Sequence, residues 1–323
     1  MGICKKSLLA LFAAMVLPLS AQAADPFPAK QVKFVVGYAP GGGTDVLARL
    51  LASELTAKWG QQVVVENKTG AGGMIAAQQI VNAAPDGHTL LIAYTPEVSL
   101  NKLVYKQMQY DPLTDLQPIA LATSAPLYLV AGPKSKVSTY AQLVDLKKSQ
   151  AQLSFGSPGV GGQQHLAGEL LKIQTGMNLT HVPYRGTSQA VADLLGGQID
   201  LLFATTPSII SHIRAGTLKP LLVTADSRDT MLPDVPSARE VGLKNFEISN
   251  WFGVFGPKGM NPQLVNKISA DVSTVLADKG VTRKLGDQGL AVTYMAPDKL
   301  RTYIGSEMKK YGDIIDKVGL QKQ

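Results

Sequence analysis

The stretch Val32-Lys33-Phe34-Val35-Val36-Gly37-Tyr38-Ala39-Pro40-Gly41-Gly42-Gly43-Thr44-Asp45 is followed by Val46, Leu47, Leu50, Leu51 and Leu55. Its first five residues form a short β-rich apolar run, and the apolar residues beyond Asp45 recur at helical spacing. The order is therefore strand, glycine loop, helix, with Gly60 as the stop. A strand over 62–66, a helix over 74–83, a turn at Pro85-Asp86-Gly87 and a strand over 90–94 follow. Alternating β and α units of this length imply a mostly parallel sheet.

The same grammar returns further along. A strand over 153–156 leads into Ser157-Pro158-Gly159-Val160-Gly161-Gly162, and a helix over 163–174 carries Leu166, Leu170 and Ile173 on one face. Strands over 181–184, 199–204 and 218–224 alternate with helices over 188–195 and 207–215. Two separate βαβαβ halves indicate an α/β protein of two lobes, each a mostly parallel sheet flanked by helices. From about residue 261 the chain reads as mostly helical and returns to the first lobe. That places lobe 1 at 24–126 and 252–323 and lobe 2 at 127–251, with crossings near 127–130 and 251–255.

The chain opens with Lys5 and Lys6, an apolar stretch over 8–19 and then Ala21-Gln22-Ala23. Basic residues, an apolar core and an A-x-A site make residues 1–23 a signal peptide, which predicts export to the periplasm and cleavage after Ala23. The apolar stretch is shorter than the roughly 20 residues that span a bilayer. Cys4, the single cysteine, lies in the segment to be removed and precedes the apolar run, unlike a lipid-anchored cysteine. The mature chain then has no disulfide, thiol nucleophile or thiolate metal ligand. Net charge is +7, of which Lys5 and Lys6 contribute two. The remaining excess suits an anionic ligand. It is spread along the chain, and the aromatic-plus-arginine signatures of nucleic-acid modules are absent, which argues against such a partner.

The chemistry begins with the two glycine loops. Each joins the end of a strand to the start of a helix, where unpaired N–H groups and a partial positive charge favour an anion. Glycine lets the backbone approach a ligand without a Cβ in the way. Ligands of open parallel sheets sit outside the carboxyl ends of the strands, where both loops belong. Candidate ligand contacts are Tyr38, Pro40, Gly41, Gly42, Gly43, Thr44 and Asp45 in the first loop, and Ser157, Gly159, Gly161, Gly162 and Gln163 in the second. Tyr94, Tyr184 and Thr206 add hydroxyls just past other strand ends.

Three residues keep two readings each. Asp45 either caps its helix or touches ligand; His165 either lines the cleft or lies on the surface; Arg185 either meets a carboxylate or anchors a loop. No catalytic residue, metal site or cofactor is expected. The first loop lacks the lysine of a phosphate-binding P-loop, and Gly159-Val160-Gly161 lacks the spaced third glycine of a dinucleotide loop. Ser157 sits where a hydrolase elbow would place a nucleophile, but Gly156-Ser157-Pro158-Gly159 is not G-x-S-x-G. Pro158 also removes an oxyanion-hole N–H. The histidines His88, His165, His181 and His212 show no close metal-ligand spacing.

Five motifs occur in one order: Tyr38-Ala39-Pro40-Gly41-Gly42-Gly43-Thr44-Asp45, Glu66-Asn67-Lys68, Gly70-Ala71-Gly72-Gly73, Pro85-Asp86-Gly87-His88-Thr89-Leu90 and Val182-Pro183-Tyr184-Arg185-Gly186. With them the chain resembles the Bug receptors, the extracytoplasmic solute receptors of tripartite tricarboxylate transporters, over nearly its whole mature length. The resemblance implies a two-lobed periplasmic-binding-protein fold, type II-like, that closes as a monomer on a small organic carboxylate held between the glycine loops. It implies delivery to membrane permease subunits or, in some members, signalling without a permease of their own. Tyr94, Thr95, Pro96, Thr205 and Thr206 belong to the wall that varies with the ligand.

Overall fold

The computed structural model describes residues 27–135, 137–149 and 151–322. The expected signal peptide and its cleavage after Ala23 lie outside the described residues. In chain order the elements are β1 (Val32–Val36), α1 (Gly43–Trp59), β2 (Val63–Asn67), α2 (Met74–Val81), β3 (Thr89–Tyr94), α3 (Asn101–Val104), β4 (Leu116–Pro126) and β5 (Tyr128–Ala131). Then come α4 (Tyr140–Asp145), β6 (Gln152–Ser157), α5 (Gln163–Thr175), β7 (Asn178–Pro183), α6 (Thr187–Gly196), β8 (Leu201–Ala204), α7 (Ile210–Arg214) and β9 (Lys219–Val223). The chain ends through β10 (Ser249–Pro257), α8 (Pro262–Ala277), α9 (Lys279–Gly286), β11 (Ala291–Met295) and α10 (Pro297–Val318).

Two sheets result, one of six strands in the order β11-β4-β10-β3-β1-β2 and one of five in the order β7-β6-β8-β5-β9. The expected parallel arrangement holds for β2-β1-β3 and for β7-β6-β8, whose ends carry the glycine loops. Both sheets are mixed as a whole. β10 runs antiparallel to β3 and β4, and β5 runs antiparallel to β8 and β9. β1 is apolar on both faces because helices cover both, and the leucines at 47, 51 and 55 of α1 lock one of those faces. Gly60 ends α1 in a left-handed turn at φ 67°, and Gly176 ends α5 at φ 68°, conformations that cost glycine no Cβ clash.

The first crossing between sheets is Leu127, the single residue between β4 and β5. The second lies before Ser249 rather than within 251–255, because Trp251 and Phe252 already pair with β4 in the first sheet. Thr224 ties the two crossings together. Its N–H donates to the Leu127 carbonyl at 2.8 Å, and its hydroxyl accepts from the Leu127 N–H at 2.9 Å and reaches the Ile248 carbonyl. α10 straddles the lobes: Leu300 and Ile304 pack into the core of the first sheet, whereas Tyr311 and Ile315 pack into that of the second.

Candidate functional site

Between the lobes, which are in contact around it, lies a small cavity of about 20 Å³. Gly42, Gly43 and Thr44 bring the start of α1 to it, Pro158 and Gln164 the second loop and the first turn of α5, and Thr187 the start of α6. Neither α1, α5 nor α6 has a side-chain cap on its first amides, since Gly42, Gly162 and Gly186 occupy the N-cap positions. Three helix starts therefore turn unpaired N–H groups and partial positive charge toward one space. Among the described residues, no Asp, Glu, Lys, Arg or His side chain lines it.

The floor is aromatic. Tyr38 and Tyr94 meet edge to face at 5.1 Å, and Tyr94 stacks on Phe252 at 5.8 Å. The Phe252 ring fills the space beneath Gly43, where an added Cβ would come within 2.8 Å of it. Burial, the main cause, holds the phenols of Tyr38 and Tyr94 far above their ordinary pKa, so both remain proton donors. The Tyr94 hydroxyl meets Gln164 Oε1 from the opposite lobe and lies 3.3 Å from Asn250 Oδ1. The single phenolic proton is shared between these two acceptors, one in each lobe's reach.

Several expected contacts lie elsewhere. The Asp45 carboxylate accepts from Arg49, Asn67 and the Gly41 amide and does not line the cavity. Burial opposes its charge, but those hydrogen bonds outweigh it and hold the carboxyl below its ordinary pKa. The carboxylate thus holds the loop before α1 and caps no amide of the helix itself. Pro40 uses its carbonyl to accept from Ser188 across the cleft at 2.7 Å. Gln163 is buried away from the cavity lining, and its neighbour Gln164 stands there instead. Thr205 lines the cavity, whereas Thr206 is buried against Gly289. Tyr184 donates to Asp193 at 2.8 Å. Gly159, Gly161 and Gly162 shape the second loop without lining the cavity themselves. Gly161 lies against Val104 of the other lobe and Gly162 against Pro96.

Ala39, Pro158, Gln164, Thr187, Asn250 and Phe252 are the lining residues that the glycine grammar missed. Thr187 had a readable signal, as the first helical residue beyond Gly186. Asn250 and Phe252 had none, because a crossing strand carries no loop motif.

Ser157 is not set up as a nucleophile. Its hydroxyl donates to the Gly159 carbonyl and lies 2.6 Å from His181 Nε2, so that nitrogen donates the proton and cannot accept one. Desolvation, and then His165, push His181 down to about 3. His165 is likewise buried, lowered by desolvation and by Lys172 to about 4, and its Nδ1 accepts the Gly161 N–H at 2.9 Å. Among the described residues no group of three or more His, Cys, Asp or Glu is placed to hold a metal, and no helix is long and apolar enough to cross a membrane.

Residues 47–320 match the model of the tripartite tricarboxylate transporter family receptor. The chain belongs to this family. It is 34% identical to the periplasmic binding protein BugD, covering 92% of this chain and all of that one, with a TM-score of 0.87. It is 30% identical to Rpa4515 of R. palustris, solved with adipate, with coverage of 92% and 100% and a TM-score of 0.89. It is 32% identical to MatC of Rhodopseudomonas palustris, solved with bound malate, with coverage of 90% and 100% and a TM-score of 0.83. Members of the family are periplasmic solute-binding receptors and generally not enzymes.

Proposed function

We propose that this protein captures a small organic carboxylate between its lobes in the periplasm and delivers it to the permease of a tripartite transporter. The observation that carries the reading is the meeting of the α1, α5 and α6 starts, drawn from both lobes, at a cavity without charged side chains. Such a site compensates an anion with backbone N–H groups, and these require no counter-ion. Relatives solved with adipate and malate fit that chemistry. Tyr38, Gly42, Gly43 and Thr44 on one side and Gln164, Thr187 and Thr205 on the other would contact the ligand; Asn250 and Phe252 would bear on its far end.

Thermal-shift screening of the mature protein against mono-, di- and tricarboxylates tests the reading. A ligand at 100 times its Kd stabilises by about 2.7 kcal/mol, a readily measured rise in Tm. A panel that produces no shift at millimolar concentration overturns the assignment. Uptake by cells from which tripartite transporter permease genes have been deleted tests the delivery step; unchanged uptake would favour a signalling role.

A further inference from the structure

The two glycine loops follow one backbone course. Gly41 and Gly161 take left-handed φ values of 88° and 76°. Gly42 and Gly162 are extended N-caps, at φ −85°, ψ 171° and φ −72°, ψ 170°, and a helix begins at the next residue. In both, the side chain four residues after the left-handed glycine reaches back to its amide. Gly41 N–H donates to Asp45 Oδ2 at 3.0 Å, and Gly161 N–H donates to His165 Nδ1 at 2.9 Å.

We infer that Asp45 and His165 are equivalent positioning residues, one in each lobe, that hold these glycine amides and thereby turn the next amides of each loop toward the ligand. The inference rests on the receptor reading above. In an ordinary capping box the N-cap side chain covers amides of the first turn while the third helical residue reaches back. Here the N-cap is glycine and has no side chain to cover them. Only the backward half of the box is kept, and it binds an amide outside the helix. The first amides of both helices stay without a side-chain cap, and Gly43, Thr44 and Gln164 line the cavity.

Each holder is itself held. Asp45 Oδ1 accepts from Asn67 Nδ2 at 3.0 Å, and the same Asn67 Nδ2 donates to the Tyr38 carbonyl at 2.9 Å. Arg49 braces the carboxylate from outside. His165 stacks on His181 at 3.7 Å, and His181 grips Ser157, whose hydroxyl fixes the Gly159 carbonyl. The second loop is thus fixed at two peptide groups, at Gly159 and at Gly161. The two holders differ in chemical type and agree in supplying an acceptor at one place in the loop. That agreement explains why two unlike residues occupy matched positions.

The test compares His165→Asn with His165→Leu. Asparagine places an oxygen near the position of Nδ1 and keeps the acceptor; leucine keeps bulk without it. Hydrogen exchange of the Gly161 amide is followed by NMR, and malate and adipate are titrated by calorimetry. Wild type and His165→Asn should protect Gly161 and agree in Kd within about threefold. His165→Leu should lose that protection and bind at least about tenfold more weakly. Asp45→Asn and Asp45→Leu repeat the comparison for Gly41, so a variant that fails to fold in one lobe is replaced by its counterpart in the other. Leucine variants that keep both protection and affinity overturn the inference, as do asparagine variants that bind no better than leucine. If wild type takes up neither acid, the ligand assignment is at fault, and the exchange rates of Gly41 and Gly161 alone decide the positioning role.

Discussion

Gly42 and Gly161 occupy matched turns but fail for different reasons when substituted. A Cβ on Gly42 would meet nothing closer than the Ala39 carbonyl at 4.0 Å, and its φ of −85° suits any residue. Gly42→Val should therefore fold normally, shield the start of α1 and weaken carboxylate binding at least about tenfold by calorimetry. Gly161 has a φ of 76°, and its Cβ would come within 2.4 Å of Val104 in the facing lobe. Gly161→Val should lose stability as well as affinity. The histidines make a second expectation. Burial lowers His165 to about 4 from an unfolded value near 6.5. Its stabilisation is thus fully present above about pH 6.5 and lost as pH falls toward 4. Glu97 and Glu307, raised by burial, act in the opposite sense, and Glu169 and Lys172 lie close by. The readout is accordingly the stability gap between wild type and His165→Asn, which should shift against wild type from pH 6.5 to 4; a constant gap contradicts it. Sequence showed the glycines because strand–glycine–helix is a local signal. It chose Gln163 over Gln164 because spacing does not fix the rotation of a helix start to within one residue.

Thr224 is the smallest part of the crossing and has the most to answer for. Thr224→Val leaves the buried Leu127 N–H without the hydroxyl it donates to and should destabilise the protein by about 1–3 kcal/mol in urea denaturation. A change within experimental error would mean that water or another group takes over. The βα units were legible as elements because their apolar periodicity and glycine stops are local. The antiparallel neighbours were harder. An apolar strand such as β10, buried on both faces, reads the same whether its partners are parallel or antiparallel, and only its pairing with β3 and β4 makes the sheet mixed. β11, short and half-exposed, lacks the continuous apolar run that would separate it from its helical surroundings. The double allegiance of α10 is likewise a tertiary fact, since Ile304 and Tyr311 lie on one helix yet enter different cores.

The lobes meet across the cleft through Ser188 and Pro40, Gly186 and Ala39, and Gly161 and Val104. A ligand can enter only if these contacts part, so ligand-saturated protein should have a smaller radius of gyration in small-angle scattering than ligand-free protein. Equal radii would mean that capture does not involve lobe closure. The central claim is that backbone N–H groups from both lobes hold one carboxylate without a counter-ion. It is tested most directly by calorimetric titration of the tightest acid from the panel beside its primary amide, at one pH and salt concentration. The amide nearly matches the acid in size and removes its charge. Hydrogen bonds to a charged group contribute roughly 1.5–3 kcal/mol each, so the amide should bind at least about tenfold more weakly. An amide that binds as tightly as the acid would contradict the account.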